Sequence, residues 1–137
     1  MKTPLFALAL VAFVSLTSGC AIAEKTQKNN AAAQAWLQAN DKGRTKSNFE
    51  GVYYSPDWGA VVLKQRDGKI TGAISYLKVK GIAAGRNAYL LLVDDDWVGH
   101  TMILTRRNSE VVDGAYSSRI PFSKKDALPI HLDKIVY

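Results

Sequence analysis

Few residue types in this sequence could carry chemistry at neutral pH. Cys20 is the only thiol in the 137-residue chain, so it has no partner for an internal disulfide. His100 and His131 are the only imidazoles. They could ligate zinc, but no zinc-type spacing surrounds either one. The pattern predicts ordinary strand residues, with His131 on a solvent-facing side and open to pH-dependent contacts. Asp94-Asp95-Asp96 is the densest acidic cluster. With His100 nearby it invites comparison with a calcium or magnesium site, which needs several converging carboxylates. Three consecutive aspartates between two apolar runs fit a solvated hairpin turn better. Ser55, Ser75, Ser109, Ser117, Ser118 and Ser123 offer hydroxyls, and none lies in a Gly-x-Ser-x-Gly elbow. The expectation is a protein with no catalytic residues, no metal and no cofactor, and so not an enzyme.

Two other groups could bind without reacting. Tyr53-Tyr54-Ser55-Pro56-Asp57-Trp58 reads as a turn, and Trp97 follows the acidic turn. If both turns share one end of a sheet, Tyr53, Tyr54, Trp58 and Trp97 form an aromatic rim, suited to a ligand or partner because Tyr and Trp are large, rigid and polar-tipped. The alternative is core packing at that end. Basic residues fall in pairs at strand ends and turns: Lys64 with Arg66, Lys78 with Lys80, Arg106 with Arg107, Lys124 with Lys125. Lys78, Lys80, Arg106 and Arg107 are candidate contacts for phosphate or carboxylate groups. The plainer reading is a charged rim that keeps sheet edges apart.

What places these residues begins with the N-terminus. Met1-Lys2 gives a positive start, Leu5–Leu16 an apolar run, Thr17-Ser18-Gly19 a small-residue stretch, and Cys20 follows directly. A run this short, closed by small residues, predicts a cleaved signal peptide over 1–19 rather than a spanning helix, which needs ~20 apolar residues. The pattern resembles the lipobox of bacterial lipoproteins, with Thr17 standing where that motif usually has Leu. The resemblance covers residues 1–20 and implies lipidation of Cys20, with diacylation of the thiol, palmitate-type acylation of the freed amine and anchoring to a membrane. Several acyl chains, at ~0.8 kcal/mol per buried CH₂, hold stably. Ala21, in place of an aspartate, implies the periplasmic face of the outer membrane.

Cleavage would remove one lysine and no acid, leaving a formal charge of about +5 from the precursor's +6. A basic surface in an anionic envelope suggests anionic partners, and that compartment argues against nucleic acid. Residues 20–48 are polar and Ala-rich and read as a lipidated cysteine followed by a flexible tether, ~30 Å as a coil. Within it, Asn30–Ala39 could form a short helix, marginal by itself. Trp36 either docks on the domain or meets a membrane or partner.

From Phe49 to Tyr137 the chain becomes rich in β-branched and aromatic residues. Asp67-Gly68 between two such runs is a strong hairpin signal. Ile70, Gly72, Ile74 and Tyr76 alternate with Thr71, Ala73 and Ser75, the period of a strand with one buried face. Strands are expected at 49–54, 58–65, 69–76, 78–83, 87–93, 97–105, 110–117 and 130–136, with one helical turn near Ser123–Ala127. Trp58-Gly59 through Gly72-Ala73 is echoed by Val98-Gly99 through Gly114-Ala115, as repeated hairpins or an old duplication would produce. The expected fold is all-β: a small antiparallel meander of about eight strands closing as a barrel, or else a sandwich. It resembles lipocalins and avidins in shape only.

These features together point to a non-enzymatic binding or scaffold role in the cell envelope, with an envelope protein complex or an anionic component as partner. The alternatives are a carrier or sensor of a small apolar or anionic ligand in the barrel mouth and, more weakly, an enzyme inhibitor.

Overall fold

The computed structural model describes residues 25–42 and 47–135. The signal segment and Cys20 lie outside them. Eight strands follow one another: β1 (Gly51–Ser55), β2 (Gly59–Arg66), β3 (Lys69–Ile74), β4 (Leu77–Ala84), β5 (Asn87–Asp94), β6 (Trp97–Arg106), β7 (Val111–Ser117) and β8 (Leu128–Lys134). Each pairs antiparallel with the next, and β8 returns to β1 to close a barrel. Closure settles the choice between barrel and sandwich. A single 3-10 turn, Lys124–Asp126, precedes β8. A helix, α1, occupies 25–40.

Local chemistry explains the turns. Asp67 and Gly68 both take positive φ, 52° and 77°, the geometry of a two-residue hairpin that follows the sheet's twist. Asp95, at φ 52°, does the same between the paired residues Asp94 and Trp97. The acidic cluster is therefore a hairpin turn, where a short polar side chain tolerates this conformation.

Strand alternation sends one face inward. Val61, Leu63, Ile70, Ile74, Leu90, Met102, Leu104 and Leu132 are almost fully buried and belong to one apolar cluster. Side chains thus fill the barrel, as expected at eight strands. The outer wall of β2–β4 carries Lys64, Arg66, Lys69, Lys78 and Lys80. An apolar interior under a charged exterior is the reverse of a membrane-spanning barrel.

The segment before the barrel departs from the expected tether. α1 runs from 25 to 40, longer than the predicted Asn30–Ala39, and it is packed. Ala33 and Leu37 are buried against Leu91 and Val98, with Trp36, Ile82 and Tyr89 around them. Trp36 meets Tyr89 edge-on at 5.7 Å and stacks on Phe122 at 6.2 Å, so it docks on the domain. Burying a Leu contributes ~1.5–3 kcal/mol, which is how a marginal helix becomes fixed. Asn30 pins its first half: its Nδ2 donates to the Asp96 carbonyl at 2.7 Å, and the Val98 N–H donates to its Oδ1 at 3.2 Å.

The meander gives the barrel two distinct ends. The β1–β2, β3–β4, β5–β6 and β7–β8 connections lie at what is here called the Trp97 end, and the other three at the Phe49 end. α1 runs from the first toward the second, with Leu37 and Asp41 reaching a cleft beside Lys69 and Lys80.

Candidate functional site

The four candidate aromatics do not converge. Both tryptophans belong to the Trp97 end, as a shared-end rim requires. Tyr53 does not reach it: it is fully buried nearer the Phe49 end, its hydroxyl donating to the Phe49 carbonyl at 2.7 Å. Tyr54, next along β1, points outward and is half exposed. Trp58 folds back as a half-buried lid, edge-on to Tyr116 at 5.0 Å and to His100 at 5.7 Å. Trp97 remains exposed at its turn. The Trp58 Nε1 and His100 Nδ1 atoms are buried without a hydrogen-bond partner among the described residues. Beneath this trio lies the buried apolar cluster of the barrel, against which Trp58 and Tyr116 pack. His100 joins this aromatic trio while the neighbouring aspartates form the exposed turn. Among the described residues no group of three His, Cys, Asp or Glu gathers around a metal-sized point.

The four candidate anion contacts divide in two. Arg106 is committed to structure: its guanidinium donates to the carbonyls of Asn48, Asn108 and Ser109 and to the Tyr53 hydroxyl, and lies 5.3 Å from the Phe49 ring centroid. Arg107 pairs with Asp113 at 2.9 Å. Lys78 and Lys80 point to solvent from β4, and the register shows company that their sequence spacing hides. Lys64, Thr71 and Lys80 form one cross-strand row; Arg66 and Lys69 face each other in the next; Lys78 follows Val62 and Ala73 in a third. At ~4.8 Å between strands and ~3.4 Å per residue, five cations share a field of ~10 Å by ~14 Å. None of the five forms an ion pair with a described carboxylate. Two surface clefts meet on this wall and share Lys69 and Thr71, one of 570 Å³ beside Glu50 and Asp67, the other of 360 Å³ under the end of α1.

No family model, curated protein or solved structure matches this chain.

The basic wall therefore has to be understood from its own geometry. A charged rim guards sheet edges, but a closed barrel has no edges to guard. Like charges directly opposite, as at Arg66 and Lys69, are destabilising. Their positive potential is available to a polyanion. Lys64 and Arg66 form one of the basic pairs visible in the sequence, while Lys69 joins them only through the strand register. The two-residue Asp67-Gly68 loop carries the missing signal, because it fixes Arg66 opposite Lys69 and hence Lys64 opposite Thr71.

The two histidines differ in electrostatics. His131 lies on the outer wall between two carboxylates, Nδ1 at 2.5 Å from Asp113 and Nε2 at 2.9 Å from Asp133. The hydrogen bond to Asp113, then that to Asp133, raises its pKa above 6.5. Burial lowers the pKa of His100 below 6.5. Protonated His131 favours the fold below pH 6.5, and that contribution fades as pH rises through its raised value. Neutral His100 favours the fold above pH 6.5, and that contribution fades as pH falls through its lowered value. An NMR titration of the folded protein is expected to show the two imidazoles titrating on opposite sides of 6.5. Two coincident titrations near 6.5 would contradict both placements.

Proposed function

We propose that this protein is a lipid-anchored, non-enzymatic binding module on the periplasmic face of the outer membrane, engaging an anionic component of the envelope through the outer wall of β2–β4. The observation that carries the reading is the field of five cations, none in an ion pair among the described residues, on three adjacent strands of a barrel that has no edge to protect. The filled interior supports a surface-binding role over a carrier role, since a carrier needs an open cavity. The lipobox-like ending at Cys20 supports the anchor.

Two measurements test the two halves. The mass of the protein extracted from its own membranes is expected to equal residues 20–137 plus acyl chains. An unmodified Cys20 would overturn the anchor. Co-sedimentation with purified peptidoglycan, whose carboxylates supply the negative charge, is expected to weaken as salt rises through the range where Debye screening shortens below ~10 Å. The double reversal Lys64→Glu, Lys80→Glu is expected to reduce that affinity by roughly tenfold or more. The reversal Lys124→Glu, Lys125→Glu, away from the wall, is expected to leave it within about twofold. Equal losses from both pairs would reduce the wall to a share of net charge.

A further inference from the structure

We infer that the Trp97 end of the barrel is a membrane-contact surface, with Trp97, Tyr76 and Leu128 seated at the headgroup–acyl boundary of the bilayer that holds Cys20. The inference rests on the anchor reading and adds an orientation to it.

Three observations carry the argument. First, α1 is fixed to the barrel, so the distance from lipid to protein is short. Five peptide steps separate Cys20 from Lys25, where the described helix begins, and the chain spans at most ~3.6 Å per residue, so ~18 Å in all. The ~30 Å expected of a flexible 28-residue coil is not available. Second, α1 points the right way. Asn30 is bonded to the β5–β6 turn at the Trp97 end. The helix rises ~1.5 Å per residue, so Lys25 projects ~7 Å from Asn30, away from the Phe49 end. The Phe49 end lies near the far end of a ~24 Å helix.

Third, this end is dressed for an interface. Of the five large apolar side chains exposed among the described residues, Tyr76 at 79%, Trp97 at 53% and Leu128 at 55% lie at the turns and strand starts of this end, Tyr54 lies on the β1 wall, and Ile135, the least exposed at 39%, lies at the Phe49 end. The first three come from three separate elements: the β3–β4 turn, the start of β6 and the start of β8. Trp and Tyr favour the headgroup level, where an apolar ring and a polar tip are both satisfied. The turns and chain segments of this end carry exposed charges of both signs: Lys25, Lys28, Lys124 and Lys125, and Asp57 with the Asp94–Asp96 turn. That mixture suits a surface of phospholipid headgroups better than a strongly charged polymer. The wall of β2–β4 would then stand upright from the membrane, its Arg66–Lys69 turn farthest from the lipid and free for a partner.

The test uses the full lipidated protein reconstituted in phosphatidylethanolamine–phosphatidylglycerol vesicles, with or without lipids brominated near the top of the acyl chain. Tryptophan emission is read in the wild type and in Trp97→Phe, an exposed substitution checked for unchanged thermal unfolding. The expected result is quenching of a distinct fraction of wild-type emission and loss of most of that fraction in Trp97→Phe, because Trp97 is 53% exposed whereas Trp58, at the same end, and Trp36 are partly buried against Tyr116 and Phe122. Acylated protein whose emission is unquenched, or is quenched equally in Trp97→Phe, would overturn the orientation and leave the anchor intact. A mass without acyl chains in the same sample would overturn the anchor and the orientation with it. Tyr76→Ser with Leu128→Ser gives a second reading: the quenchable fraction is expected to fall by about half or more while acylation is unchanged, and an unaltered fraction would count against the shared contact surface.

Discussion

Gly72→Ala is expected to lower the unfolding free energy by about 3–5 kcal/mol, read as a fall in the urea midpoint. Gly72 sits in β3 at φ +151°, and a Cβ built there would lie 1.9 Å from the Val62 carbonyl oxygen. That oxygen is backbone in a continuous ladder, opposite which Gly72 pairs with Leu63 and Val79. Relief therefore requires prising β2 from β3 or twisting β3 into another backbone well. Overpacking costs ~1–3 kcal/mol and backbone strain a similar amount. Gly99→Ala is the matched control: nothing lies within 4 Å of its added Cβ, and its change is expected to stay within ~0.5 kcal/mol. A Gly72→Ala loss below ~1 kcal/mol would show that the sheet yields there.

Phe49→Ala is expected to cost a comparable ~3–5 kcal/mol, seen as a fall of roughly 15 °C or more in Tm. Phe49 is fully buried and closes one mouth of the barrel. Around it the chain is laced down: its N–H donates to Gln65 Oε1 at 2.8 Å, Gln65 Nε2 donates to the Ser47 carbonyl at 2.8 Å, and its own carbonyl receives the Tyr53 hydroxyl. Arg106 lies against the ring with its Nε buried and unpartnered among the described residues. Truncation opens a cavity and also leaves that guanidinium against empty space. Phe49→Leu keeps most of the volume and is expected to lose under half as much. Equal losses from both would mean that the ring's contact with Arg106, and not the filled volume, closes the barrel.

The strands were legible because their signals were local. Asp67-Gly68 and the alternation through β3 placed two strands and the loop between them, and all eight expected strands match the observed ones to within two residues at either end. The docking of α1 was one of two readings left open at Trp36, and a further trace of it is present in the sequence. Leu90-Leu91-Leu92-Val93 breaks the alternation, and such a run belongs to a strand covered on both faces. Leu91 needs a covering element, and the Ala33–Leu37 spacing of α1 supplies one.

The candidate sites were harder, because tertiary direction decides them. Tyr53 and Tyr54 are neighbours in sequence and face opposite sides of one wall. Arg106 and Arg107 look alike in sequence, yet one is folded over Phe49 and the other is paired with Asp113. Lys69 gained significance only from the strand register, which sets it against Arg66.

The join between β1 and β8 has a consequence for folding speed. Among the described residues its ladder pairs only Tyr53 with Lys134 and Tyr54 with Asp133, supported by the Ile135 N–H donating to the Val52 carbonyl at 2.8 Å, while the β5–β6 ladder pairs eight residues on each side. Residues about 80 apart in the chain meet there, the most distant encounter in the meander. Every hairpin can nucleate from its own turn, but this junction must wait for all the others to bring its two strands together. The ring is thus joined last, by the shortest ladder among the described residues, which makes ring closure the natural slow step of folding and the same seam the first to part when the native state fluctuates.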